Sequence, residues 1–317
     1  EKTLAELLER GKKNGVPGLR ILSSAELHEM EPNVSPEATA SLWAPSAGIV
    51  CPYGLAIAAA ENAATNGTRF YLNFTVSDIS SAGGIYYVSN GEETIGARRI
   101  INAAGVHSVE IADMLGELNF PVKIIPRRGE YIVLDKNFGG TVRSTLFAAP
   151  TERGKGVLVT QTVDGNLLVG PNANEVAPDD TSVTAAGLAE ITAGGKRLVP
   201  SLNTRGAITE FAGVRPTPST HDFYIRRSEQ FSGVIHAVGV ESPGLASSPA
   251  VAEYIVSLLS ETGLELTPRA DYIPTRRRFG NPKLFMQMND EERAEAIRRN
   301  PAYGRVICRC ETVTEGD

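Results

Sequence analysis

Few residues in this chain have the type and setting to do chemistry. Arg215, in Gly-Val-Arg-Pro at 213–216, offers a guanidinium fork, which matches a carboxylate or a phosphate through two parallel hydrogen bonds. An arginine can equally end in a surface ion pair. Tyr131, in Arg-Arg-Gly-Glu-Tyr at 127–131, could lend a hydroxyl or sit buried in a sheet. Arg128 reads as a turn or interface charge. Of the four histidines, His107 and His221 follow small-residue or proline-rich turns and could face a site as bases. His28 lies in a polar helical pattern and His236 inside an apolar run, so both read as structural. Cys308 and Cys310 form a C-x-C pair near the end, while Cys51 reads as core.

The stretch best suited to holding a ligand is 233–263. Val234, Ile235, Ala237 and Val238 predict a buried strand, and residues 239–248 a loop with Gly239, Pro243 and Gly244. Val251, Ile255, Val256, Leu258 and Leu259 recur at helical spacing, with Ser248 as expected N-cap, Pro249 at the first helical position and Gly263 as stop. A helix start exposes unpaired N–H groups, and glycines before it let a ligand approach the backbone. The same pattern also describes an ordinary strand–helix connection. A second unit of this kind runs from strand 98–104 through Ala103, Ala104 and Gly105 into a helix at 108–118. Those small residues suit a bulky group lying on the backbone, or close helix–strand packing.

Between and around these units the elements can be read in order. Helices are predicted in a polar segment from residue 1 that Gly11 and Gly15 end, at 25–31 capped by Ser23 or Ser24, at 55–66 and at 181–199. Strands are expected at 38–50, 70–79, 84–89, 92–95, 144–148, 156–161, 167–169, 208–214 and 222–227, with two more flanking a turn at 127–129. The fold class is mixed α/β and α+β. A mostly antiparallel sheet domain at 119–230 is inserted into a Rossmann-like domain made of 51–118 and 231–262. Residues 1–50 are assigned to the sheet domain, and 263–317 form a tail with a helix at 290–299.

Bulk properties bound the function. With 317 residues the chain can bury a large core, and two domains are expected at this length. A net charge of -6 argues against nucleic acid, and three cysteines argue against a disulfide scaffold. No apolar run reaches membrane-spanning length. A cytoplasmic location is expected, with any membrane association made through a partner.

Several motifs share one order with a known family: INAAGVHS at 101–108, IPRRGEYIVLD at 125–135, LLVGPNA at 167–173, GVRP at 213–216 and GVESPGLASS at 239–248. In that order they resemble the D-amino-acid-oxidase-like flavoproteins, more narrowly the glycerol-3-phosphate dehydrogenase and L-2-hydroxyglutarate oxidase branch. The ending VICRCETVTEG resembles the start of the [2Fe-2S] module that follows anaerobic glycerol-3-phosphate dehydrogenase. The resemblance implies FAD, hydride transfer from a small anionic hydroxy acid or sn-glycerol 3-phosphate, and Arg215 as the substrate anchor, joined by Tyr131 and His221. It implies cofactor contacts at Val76, Ala103, Ala104, Gly105, Gly239, Gly244, Leu245 and Ala246. It implies Cys308 and Cys310 as half of an iron–sulfur ligand set, and an electron-transfer subunit as partner. The family's opening G-x-G-x-x-G has no counterpart here, and the second cysteine pair is missing, so truncation at both ends is expected. An amino-acid or amine oxidase of the same fold, or a non-catalytic subunit, are the competing readings.

Overall fold

The computed structural model describes residues 2–117, 119–149, 156–276, 284–309 and 313–317. The chain opens with α1 (Lys2–Lys13), β1 (Arg20–Ser23), α2 (Ser24–Met30), β2 (Ala40–Trp43) and α3 (Pro52–Thr65). A meander follows, β3 (Asp78–Ala82), β4 (Ile85–Ser89) and β5 (Thr94–Ala97), then β6 (Ile100–Asn102) and α4 (Ser108–Leu115). The middle comprises β7 (Ile124–Leu134), β8 (Leu146–Phe147), β9 (Leu158–Gln161), β10 (Leu167–Gly170), β11 (Asn174–Glu175), α5 (Ala185–Leu198) and β12 (Ala207–Pro218). Then come β13 (Tyr224–Arg227), β14 (Val234–Val238), α6 (Gly244–Glu261), α7 (Asp290–Arg299), β15 (Val306–Cys308) and β16 (Val313–Thr314).

Two compact units result, one of Glu1–Cys51 with Asn73–Leu266 and one of Pro52–Leu72 with Thr267–Asp317. In the first, β7 is the spine of a six-stranded antiparallel sheet. Strand β12 pairs along one edge of it over its whole length, and β10 and β11 pair along the other. Helix α5 covers one face, where Ile132, Leu134, Val159, Leu167, Val169 and Ile191 pack as a buried core. Ile191 alone, fully buried, contributes about 2 kcal/mol by removing its apolar surface from water. Strands β13, β14 and β6 form a second sheet, in which β14 runs parallel to β6 and antiparallel to β13. All five residues of β14 are buried, as a strand enclosed on both faces requires.

In the second unit, α3 is tied down by its asparagines. Asn62 Nδ2 donates to the Ile273 and Pro274 carbonyls, Asn66 Nδ2 to the Ile273 carbonyl, and Glu61 pairs with Arg276. Phe285, Met288, Ala296 and Tyr303 make a small core beside α7, whose Asn289–Glu292 capping box fixes its start.

Four local expectations are corrected. The two strands expected around 127–129 are one continuous strand, because β12 bonds straight past that point from Ala207 to Pro218. The segment 70–77 is no strand; β3 begins at Asp78, and Asn73 takes a left-handed turn conformation (φ 56°). Its alternating side chains describe an extended chain, but a strand also needs a neighbour to bond. The strand expected over 38–50 shrinks to β2, the only part with a partner. Helix α6 begins at Gly244 rather than Ser248, leaving Pro249 inside it. A proline there removes the N–H that would bond to the Leu245 carbonyl, and the Ser248 hydroxyl donates to that carbonyl instead at 2.8 Å.

Candidate active site

The face of the β7–β12 pair opposite α5 carries the sequence-predicted substrate residues. Directly opposed residues in an antiparallel ladder share a face. Here Tyr131 opposes Phe211, Gly129 opposes Gly213 and Arg127 opposes Arg215. Tyr131 and Phe211 stack, with ring centroids 4.9 Å apart and planes 11° from parallel. Below them the two glycines leave a gap, and below that lie the two arginines. The half-buried Arg215 donates from Nη2 to the Asn172 carbonyl at 3.1 Å. A Cβ on Gly129 would come within 2.5 Å of that same Nη2, so this glycine is the space the guanidinium occupies.

Asn172 and Glu130 hold this arrangement from the other face, and neither was expected from sequence. The Asn172 side chain accepts from the Glu130 N–H at 2.8 Å and donates to Glu130 Oε2 at 2.7 Å. Glu130, wholly buried, also accepts from the Thr184 N–H and hydroxyl at 2.6 and 2.9 Å, at the start of α5. Burial pushes this carboxyl up. The hydrogen bonds from Asn172 and Thr184, with the Arg128 charge, outweigh that and hold it below the ordinary glutamate value. Gly187 packs directly on the carboxylate, where a Cβ would overlap Glu130 Oε2. Arg128 is spoken for on this side by Asp180 at 2.8 Å and Ser182 at 2.7 Å.

The small-residue turns converge at the other end of β12. Because β6 and β14 are parallel and in register, with His236 opposite Asn102, their carboxyl ends open side by side. Ala103 and Ala104 are exposed there, Gly105 takes φ 60° with nothing within 4 Å of a Cβ, and Leu245 and Ala246 are exposed on the first turn of α6. Helix α6 starts without a side-chain cap. Gly239 (φ 69°) is pressed against Pro218, and Gly244 against Val240, so both glycines serve loop packing. β12 runs past both turns: it packs on 105–107, and Thr217 donates to Glu241 at 2.9 Å. Exposed small-residue turns at the carboxyl ends of parallel strands are where a flat cofactor could lie on the backbone. Val76 is half-buried against the Ile79, Tyr86, Leu115 and Val234 core.

A buried relay orients the first turn. Asn102 Nδ2 donates to the Ser108 carbonyl at 2.7 Å and to His236 Nδ1 at 3.1 Å, while its Oδ1 accepts from the Ala104 N–H at 3.3 Å. His236 Nδ1 is therefore an acceptor, and its Nε2–H donates to Glu117 at 2.9 Å. His236 is structural, as expected. His107 is not free to act as a base: its nitrogens meet Glu110 at 3.0 Å and Asp179 at 3.1 Å, and the Glu110 hydrogen bond leads in raising its pKa. His221, in a left-handed conformation (φ 60°), lines a cavity of about 410 Å³ with Pro218, Phe223, Glu241 and Ser247. Arg215 and Tyr131 are not in that lining. Cys308 ends β15 and is a half-buried free thiol; Cys310 lies outside the described residues.

The parallel pair β6 and β14, ending in exposed small-residue turns, and the antiparallel β7–β12 pair with its arginine-bearing face occur together in one unit of the fold. The family described as FAD dependent oxidoreductase matches residues 1–258, and this chain belongs to it. A glycerol 3-phosphate dehydrogenase from Caloramator mitchellensis is 39% identical over the whole chain, which spans 65% of that protein's length. A glycerol 3-phosphate oxidase from Mycoplasma genitalium is 34% identical over 86% of this chain and 73% of its own. The FAD-bound, dithionite-reduced L-α-glycerophosphate oxidase from Mycoplasma pneumoniae superposes with a TM-score of 0.77 at 32% identity. That match covers 86% of this chain and 72% of the other.

Proposed function

We propose that this chain is the substrate-binding and flavin-facing part of an FAD-dependent dehydrogenase acting on sn-glycerol 3-phosphate or a related 2-hydroxy acid. The observation that carries the reading is β12, one strand that bears Arg215 on its open face and then packs on both small-residue turns. FAD, when bound, supplies the hydride acceptor. Ala103, Ala104, Gly105, Leu245 and Ala246 would hold it by backbone approach; Gly239 and Gly244 shape the loop, and Val76 supports it from the core. Arg215 anchors the substrate anion, kept in place by the Asn172 carbonyl and the gap at Gly129. Tyr131, stacked on Phe211, forms a wall of the same face and can add a hydroxyl contact. His221, beside the Glu241–Ser247 loop, is the candidate to take the alcohol proton.

The finer assignments follow the resemblance. The 119–230 block is read as the substrate domain inserted between the flavin-domain pieces. Cys308 and Cys310 are read as half of a four-cysteine [2Fe-2S] ligand set, which serves electron transfer only with a second pair. A partner subunit would then take the electrons, giving a cytoplasmic protein held at a membrane by that partner. No helix among the described residues is long and apolar enough to cross a membrane.

The test is reductive titration of the FAD-loaded protein under nitrogen. Loss of the yellow flavin absorbance on adding sn-glycerol 3-phosphate or L-2-hydroxyglutarate is expected. Bleaching by glycine or D-amino acids alone would replace the proposal with an amine oxidase.

A further inference from the structure

We propose that Arg127 is a second anion-binding arginine, and that it makes the site selective for a phosphate monoester dianion over a monocarboxylate. The inference rests on the assignment of Arg215 to substrate. Arg127 sits directly across the ladder from Arg215, on the same face of the sheet. Cross-strand partners have Cβ atoms about 5 Å apart, and like charges placed so repel. The neighbouring Arg128, on the opposite face, has its charge met by Asp180 at 2.8 Å. Arg127 has no such answer: it makes no ion pair among the described residues, and its buried Nε, like that of Arg128, has no hydrogen-bond partner. Glu175, its other cross-strand neighbour, is exposed and forms no ion pair with it among the described residues. Beside the pair lie the Asn172 carbonyl, which accepts from Arg215, and the exposed Glu175 across the ladder from Arg127.

Two adjacent guanidinium forks are more than a monocarboxylate needs, because one fork satisfies its two oxygens. A phosphate monoester carries close to two charges at pH 7, with its second pKa near 6, and presents three acceptor oxygens. That is the anion whose charge and oxygen count match the pair. The space over Gly213, where nothing lies within 4 Å of a Cβ, sits beside the arginines, and the Tyr131–Phe211 wall beyond it can take the carbon skeleton.

The experiment is calorimetric binding to the FAD-loaded protein in its reduced state, so that no turnover occurs. The probes are sn-glycerol 3-phosphate and glycerate. Arg127→Met, which keeps the aliphatic stem, should weaken glycerol phosphate binding about tenfold or more while glycerate stays within about threefold. Arg127→Lys should recover part of the loss. Wild-type affinity for glycerol phosphate should rise from pH 5 to pH 7.5 as the ester loses its second proton, and the rise should flatten in Arg127→Met. If Arg127→Met weakens both probes equally, or neither, while Arg215→Met abolishes both, the selectivity proposal is overturned and the Arg215 assignment stands. If Arg215→Met changes neither, the assignment itself fails and the selectivity proposal fails with it.

Discussion

Gly129→Ala tests whether the open face of the β7–β12 pair is the substrate floor, because it disturbs Arg215 without touching a charge. The added Cβ would stand 2.5 Å from Arg215 Nη2, 3.4 Å from its Cζ and 2.9 Å from Pro171 Cβ. Pro171 is rigid, so the guanidinium must retreat, by about 1 Å to reach ordinary contact. That retreat breaks its 3.1 Å hydrogen bond to the Asn172 carbonyl. A hydrogen bond from a charged donor is worth about 1.5–3 kcal/mol, or roughly 10- to 100-fold in affinity for the anion. Overpacking should also cost about 1–3 kcal/mol of stability. The control lies directly across the ladder. A Cβ on Gly213 has nothing within 4 Å, so Gly213→Ala should keep its stability within about 0.5 kcal/mol. Urea unfolding and calorimetric titration with sn-glycerol 3-phosphate measure both quantities. Wild-type affinity in Gly129→Ala, or equal destabilisation by the two alanines, would refute the reasoning.

Two further outcomes are expected. His107 has its pKa raised, first by the Glu110 hydrogen bond and then by Asp179. A raised folded-state pKa stabilises fully below the unfolded value of about 6.5 and stops doing so as pH climbs through the folded value. His107→Gln should therefore destabilise at pH 6 and have little effect at pH 9, and an NMR titration of wild type should place the ring above the ordinary histidine value. His236→Ala should cost about 3 kcal/mol, because it strands the buried Glu117 carboxylate and the Asn102 amide; hydrogen exchange should rise at Ala104, whose N–H depends on Asn102, and unchanged exchange there would dismiss the relay as the support of that turn.

Much of the fold could be read from the residues, and the failures have a common cause. Elements that declare themselves locally were found: the serine cap of α2, the strand expected at 84–89 and the apolar run of β14. Misread elements depend on partners far away in sequence. Arg-Arg-Gly at 127–129 has turn-like composition, yet it lies mid-strand because β12 bonds along it. Its glycine is there for the Arg215 side chain, 86 positions on by numbering, which no local pattern can signal. The segment 70–77 errs the other way, with the alternation of a strand and no neighbour to complete one. Within the candidate site, Arg215 and the small-residue turns stand out in motif order. Glu130 and Asn172 were not, because a buried carboxylate reads as a surface charge until its Thr184 and Asn172 donors are seen. One signal was present and unused: period-two alternation through 125–134 puts Arg127, Gly129 and Tyr131 on one face and Arg128, Glu130 and Ile132 on the other. That alternation separates the two adjacent arginines into different roles. Arg128 joins the α5 side and is neutralised by Asp180. Arg127 joins Arg215 on the open face, which is why the proposed choice between phosphate and carboxylate rests on Arg127 and not on Arg128.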